Sequence, residues 1–157
     1  MIKGDLDARL VEIDEFVAFN NAFAAEKGIK GTSKKKIKSF GKNVLLSCAV
    51  WDNRPLVMHA TVLDFEQKKG RSLLSANARF NDPEDRKLIG KANRWLHWWD
   101  MCHLFEMNFS IYDWGGIAGD SKDHDKEGID KFKEGFGGSL VKEAHFYPFF
   151  LKAFLRS

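Results

Sequence analysis

Tyr112-Asp113-Trp114-Gly115-Gly116-Ile117, followed after a polar stretch by Phe132-Lys133-Glu134-Gly135-Phe136-Gly137-Gly138, is the part of the sequence that decides how this chain is read. Each segment sets aromatic side chains and a charged group just before a cluster of glycines. Glycine reaches backbone conformations closed to other residues, so both clusters mark sharp exits from regular structure. Phe109 to Tyr112 is a short apolar run that reads as a strand entering the first cluster. A short helix ending near Glu134 enters the second, after a polar loop from Ala118 to Lys126.

Working outward, Asp82-Pro83-Glu84-Asp85 announces a long helix, with Asp82 as N-cap, Pro83 at the first helical position and acids in the first turn. It runs to about Met107 and carries a packing stripe of Leu88, Ala92, Trp95, Trp99 and Cys102, widened by Ile89 and Leu96. Upstream, Asn43–Trp51, Leu56–Phe65 and Arg71–Phe80 read as three strands separated by the turns Asp52-Asn53-Arg54-Pro55 and Gln67-Lys68-Lys69-Gly70, an antiparallel meander. Helical spacing of Leu10, Ile13, Phe16, Val17, Phe23 and Ala24 predicts a first helix from Asp7 to Lys27, with Asp7 as N-cap and Gly28 as its stop. Lys34, Lys35, Lys36 and Lys38 fall in a solvated loop or a short basic helix. Downstream, Leu140 to Tyr147 reads as a final strand before a Phe-rich tail, whose apolar side chains need cover from the domain, a homodimer interface or a membrane surface. The whole is a mixed α+β domain: a mostly antiparallel sheet flanked by helices, in a single domain over residues 1–157.

The chain has 157 residues, 44% of them hydrophobic, enough for one real core. Its net charge of +3 and pI near 8.8 make it mildly basic, which suits a phosphate-bearing partner without demanding a nucleic acid. Cys48 and Cys102 stand in neither a paired nor a metal-ligand spacing and read as reduced structural thiols. With no apolar run of signal-peptide or membrane-spanning length, the expectation is a cytoplasmic protein without a transmembrane segment.

The two glycine-bearing signatures, with Gly128 and Ile129 between them, resemble the Fem-type transferases, which attach amino acids to cell-wall precursors and are built from GNAT-fold acyltransferase domains. The likeness covers about Ser72 to Tyr147 and includes Glu84-Asp85-Arg86-Lys87 and Trp98. It implies a GNAT-like fold and transfer of an acyl or aminoacyl group to an amine, on a cell-envelope precursor or another amino sugar or peptide. It also implies a site where two neighbouring strands splay apart, here the third strand and the strand before Tyr112. Fem-type enzymes generally carry two such domains, and a homodimer is one way to rebuild the missing surface.

On that reading Asn77, Arg79, Tyr112 and Asp113 lie near the mouth of the gap. Phe132 and Lys133 are carried over as donor-site residues, Lys133 to pair with a phosphate or stabilise the tetrahedral intermediate. Asp113 is the candidate general base or amine-orienting group, or else a strand-end cap on the Gly115-Gly116 turn. Tyr112 holds the acceptor or donates to the oxyanion, and Trp98 stacks on a base or sugar or packs in the core. The donor is acyl-CoA or aminoacyl-tRNA. Ala78 to Asp85 has no glycine, Pro83 has no amide proton, and three acids crowd the place where a diphosphate would bind, which argues against conventional CoA recognition. tRNA remains a candidate partner, with the Lys34–Lys38 run a contact for it or for a CoA phosphate, or else simply a solvated charge run. No metal is expected. His59, His97, His103, His124 and His145 read as satisfied or solvated. Asp123 to Glu134 imitates an EF-hand calcium loop but has Glu127 at its fifth position and Asp130 at its eighth. The alternative to an enzyme is a non-catalytic binding or assembly module that keeps the fold.

Overall fold

The computed structural model describes residues 5–78, 83–116 and 124–143. In order they form β1 (Leu6–Leu10), α1 (Ile13–Lys27), α2 (Lys34–Lys38), β2 (Val44–Trp51), β3 (Arg54–Asp64), β4 (Lys69–Asn77), α3 (Pro83–Glu106), β5 (Ile111–Asp113) and α4 (His124–Glu134). The chain divides into two compact units, Met1–Gly115 and Gly116–Ser157. The first holds a five-stranded sheet in the order β1-β2-β3-β4-β5. Its first four strands pair antiparallel and β5 pairs parallel with β4, so the expected α+β class with a mixed, mostly antiparallel sheet is the fold observed.

Alternation along the strands sorts two cores. Leu46, Cys48, Met58 and Ala60 face Phe16 of α1 and Ile37 of α2. Ala49, Leu56 and Val57 face Ile89, Ala92 and Leu96 of α3, and Leu45 and Leu63 continue that layer with Leu104 and Phe109. Successive strand residues point to opposite faces, so one apolar run serves both helical layers, except beside the register shift between Ala49 and Val50, where Leu56 and Val57 share a face.

The sequence reading needs four corrections. The first helix does not begin at Asp7: Leu6, Ala8 and Leu10 alternate with Asp7 and Arg9, and the segment pairs with β2 from Leu6 against Trp51 to Leu10 against Ser47. The helix starts at Ile13 with Glu12 as N-cap, and Gly28, at φ 66°, closes it as expected. The β2–β3 turn takes two residues, not four. Asp52 and Asn53 both have positive φ, which short polar side chains tolerate, and Arg54 and Pro55 enter β3. The third strand starts at Lys69 because Asp64 Oδ1 accepts from the amides of Glu66 and Gln67 and folds the turn earlier. The packing line of α3 holds as expected through Leu88, Ile89, Ala92, Trp95, Leu96 and Trp99, but then turns to the buried Asp100 and Leu104, whereas Cys102 is exposed.

In the second unit α4 spans the segment that imitates a calcium loop, and a helix cannot wrap an ion as that loop does. No strand is assigned over residues 140–143, and residues 144–157, with the Phe-rich tail, lie outside the described residues.

Candidate active site

The β4–β5 ladder is short. Lys69 pairs with Ile111, Gly70 with Tyr112 and Arg71 with Asp113. Beyond Arg71, β4 continues to Asn77 with no ladder partner on that side among the described residues. The departure of β5 is built into the residues that end it. The backbone N–H of Gly115 donates to Asp113 Oδ1 at 2.7 Å, and Gly115 sits at φ 75°, where a Cβ would lie 3.8 Å from the Ser72 carbonyl oxygen. A turn at that angle is easy for glycine and costly for other residues.

Under this opening, between α3 and the sheet, lies a buried polar seam. His59 Nδ1 is 2.7 Å from Asp100 Oδ2, and His59 Nε2 is 3.0 Å from the Asn93 side-chain oxygen, which also accepts from Ser75 Oγ at 3.4 Å. The His97 ring lies 4.0 Å from that of His59, centroid to centroid, and His97 Nδ1 is 2.8 Å from the Tyr112 hydroxyl. Trp114 covers this end, 4.6 Å from His97 and 5.0 Å from Tyr112 between centroids. His59 and Asp100 are fully buried, and Asp100 Oδ1 has no hydrogen-bond partner among the described residues. His59, His97 and Asp100 each offer one ligand atom, all within 4.8 Å of one another, so these three are the described residues that could meet at a cation.

Electrostatics separate the two neighbouring β5 side chains. Burial pushes the Tyr112 phenol far above its ordinary range and the Asp100 carboxylate adds to the shift, against a smaller opposing effect of hydrogen bonds with Thr61 and Ser72. Tyr112 therefore keeps its proton. Asp113 is partly buried, which alone would raise its pKa. The Lys69 ammonium at 2.8 Å, the Gly115 amide and Arg71 outweigh this and hold it below the usual carboxylate range.

Tyr112 and Asp113 thus stand together at the closed end of the gap. Asn77 lies at the far end of β4, seven residues from the partner of Tyr112 and so on the order of 20 Å along the strand. Its Oδ1 is buried without a partner among the described residues. Arg79 lies outside the described residues. Trp98 is 60% exposed on α3. In the second unit Lys133 Nζ donates to the Gly116 carbonyl oxygen at 2.6 Å, and Phe132 meets Phe136 edge to face at 5.4 Å.

Sequence reasoning missed the seam. Asn93, His97 and Asp100 recur at helical spacing between the buried Ala92, Leu96 and Leu104, so polar residues on the core-facing side of an amphipathic helix were the available signal.

Neither a protein-family profile nor a curated protein matches the chain. Solved structures do. A possible acetyltransferase from Clostridium difficile 630 aligns over 91% of this chain and 97% of its own, at 8% identity and a TM-score of 0.61. The ribosomal-protein-S18-alanine N-acetyltransferase from Escherichia coli aligns over 85% and 77%, at 12% identity and 0.57. A protein described as a predicted acetyltransferase with acetyl-CoA, from Clostridium acetobutylicum, aligns over 94% and 98%, at 12% identity and 0.53. At these identities the likeness is one of architecture, and it establishes that this chain has a GNAT-like fold.

Proposed function

We propose that the protein is an N-acyltransferase, a single catalytic domain over residues 1–157 that moves an acyl group from acyl-CoA to the amine of a small molecule, peptide or amino sugar. The edge of β4 from Ser72 to Asn77, unpaired among the described residues beside a β5 that leaves after Asp113, is the observation that carries this reading. A thioester laid along such an edge meets backbone amides that can polarise its carbonyl, each worth on the order of 3 kcal/mol when aimed at the developing oxyanion. The amine lone pair attacks that carbonyl, the C–S bond breaks, the nitrogen gives up a proton to water and the departing thiolate gains one. Tyr112, kept protonated, is the donor in this scheme. Asp113, committed to Lys69 and to the Gly115 turn, holds the splay open.

The likeness to acetyltransferases, one of them described with acetyl-CoA, supports CoA as donor. The Fem-like signatures favour aminoacyl-tRNA instead, with a cell-envelope amine as acceptor and Lys133 and Phe132 at the donor. Calorimetric titration with CoA, acetyl-CoA and charged tRNA at one salt concentration decides between them. Micromolar acetyl-CoA binding is the expected result. Binding of charged tRNA alone would transfer the proposal to aminoacyl chemistry, and silence from all three would leave a non-catalytic module.

A further inference from the structure

A cavity of about 600 Å³ opens on the α1 side of the sheet, between the C-terminal half of α1, the segment joining α1 to α2, and β4 at Leu74 and Ser75. Pockets that enclose small molecules have this size. Its lining is unusual in two respects, and both concern polar groups without protein partners.

Asn20 breaks the pattern of its helix. Phe16, Asn20 and Ala24 form the buried line of α1, and an amide in the middle of that line is costly unless something hydrogen-bonds to it. Asn20 is 6% exposed, and its side chain makes no hydrogen bond to the described residues. Thr32 Oγ1 is likewise buried and without a partner among the described residues. The Thr32 backbone is pinned, its N–H donating to Asn21 Oδ1 at 2.9 Å. Gly31 packs so tightly there that a Cβ would lie 2.2 Å from the same oxygen.

The second respect is charge. Lys30 and Lys36 line the cavity, and among the described residues no acid does. Neither ammonium is paired with a described residue, whereas the neighbouring Lys34 is bound to Asp14 at 2.6 Å. Two ammonium groups and a carboxamide around one space call for an occupant with several oxygen lone pairs and negative charge. A neutral alkyl amine would leave both ammonium groups without a counter-charge, and a polycation would be repelled.

We infer that this cavity holds the acceptor by an anionic oxygen group, a carboxylate or a phosphate, and delivers its amine to the free edge of β4; the inference rests on the acyl-transfer reading. Leu74 and Ser75, where the cavity meets the sheet, lie within the Ser72–Asn77 stretch that β5 leaves uncovered. An acceptor anchored at Asn20 and the lysines therefore points its other end at the place where the thioester carbonyl would lie. The same lysines disfavour the ammonium form of the incoming amine and so raise the fraction that can attack.

The test uses the full chain, nitrogen-labelled, titrated with phosphoethanolamine and glutamate as anionic amines and with ethanolamine and butylamine as neutral counterparts. Acetyl-CoA affinity is measured in parallel. The expected result is a saturable shift of the Gly31 and Thr32 amide signals and the Asn20 side-chain signal by the anionic amines, with the neutral ones weaker by at least about tenfold. The tighter of the two anionic probes assigns phosphate or carboxylate. In the Lys30→Gln/Lys36→Gln variant the anionic amines should lose about tenfold in affinity while acetyl-CoA binds as before. Equal binding of the neutral amines, undiminished binding to the variant, or no shift with either anionic probe would overturn the inference and leave the acyl-transfer reading standing. Anionic amines that shift these signals in a protein that does not bind acetyl-CoA would overturn the acceptor role through the reading it rests on.

Discussion

Tyr112 shows how one side chain is held to one role. Its hydroxyl touches His97 Nδ1, Thr61 and Ser72, and its burial next to Asp100 keeps the phenol neutral. Replacing it by Phe removes one hydroxyl and leaves its partners facing an apolar edge, a loss of about 1–2 kcal/mol in stability. If Tyr112 also reprotonates the leaving thiolate, Tyr112→Phe should lower kcat by about a hundredfold while KM for acetyl-CoA changes little. An unchanged kcat would confine it to a structural part. Cys48 makes a second test. Burial pushes its thiol up to about 11 from an ordinary 9.0. The folded state then binds more protons than the unfolded state between those values, so this contribution to stability is complete below pH 9 and is lost as the pH rises towards 11. We expect urea midpoints to fall over that window and to fall less in Cys48→Ala, measured as the difference between the two chains at each pH. Asp113 acts in the opposite sense: its depressed pKa contributes stability above the usual carboxylate range that disappears on acidification.

At the scale of elements, the fit of α3 onto β4 depends on Gly70. A Cβ there would lie 2.6 Å from Leu104 Cδ1 and 3.4 Å from Thr61 Cγ2, inside a packed layer. Gly70→Ala should therefore destabilise by about 1–3 kcal/mol, and by less when Leu104 has already been cut to Ala. A double-mutant cycle of unfolding free energies with no coupling would refute this account of the contact. The same helix explains what could be read from sequence and what could not. The Pro83 start, the length of α3 and the meander before it were legible because helix-start residues, turn residues and strand-rich runs act locally. The turn of its buried line was not, because Asp100 and His97 count as surface residues by hydropathy. His59, from a strand distant in sequence, meets Asp100, and the Tyr112 hydroxyl meets His97, so that their burial is tolerable. β1 was hidden for a related reason. Five alternating residues next to a helical pattern become a strand because the edge of β2 is there to pair with them. In the candidate site, Tyr112, Asp113 and Gly115 were legible from their signature, whereas the seam and the cavity arise from pairings that no local window contains. Asp100→Ala tests the seam as a unit. It leaves a buried imidazole without its carboxylate partner and should cost about 1–3 kcal/mol in unfolding free energy, against a small cost if solvent could replace the partner.

For the whole molecule the question is where a net charge of +3 is placed and what it is for. Of the α2 lysines, Lys34 is committed to Asp14 and Lys36 lines the cavity, so Lys35 and Lys38 remain exposed for a polyanion. Contact with tRNA phosphates would release counterions, and the logarithm of affinity would fall with the logarithm of salt by about 0.7–0.9 for each phosphate met. A donor held along a strand edge by backbone amides has no such slope beyond that of its own few phosphates. We therefore expect the Lys35→Gln/Lys38→Gln variant to bind acetyl-CoA and acylate a validated amine like the parent chain. Its binding to tRNA should become weaker and less salt-dependent, by about 1.4–1.8 in the slope if both lysines meet phosphates. Acyl transfer measured with acetyl-CoA and with charged tRNA, in both chains and across a salt series, separates the two donors. Transfer from acetyl-CoA that ignores the two lysines supports the CoA reading, because the chemistry then depends on the β4 edge and not on the basic helix. Transfer from charged tRNA alone, collapsing with salt and with the substitutions, would mean that the basic helix holds the donor and that the Fem-like signatures identify the substrate as well as the fold.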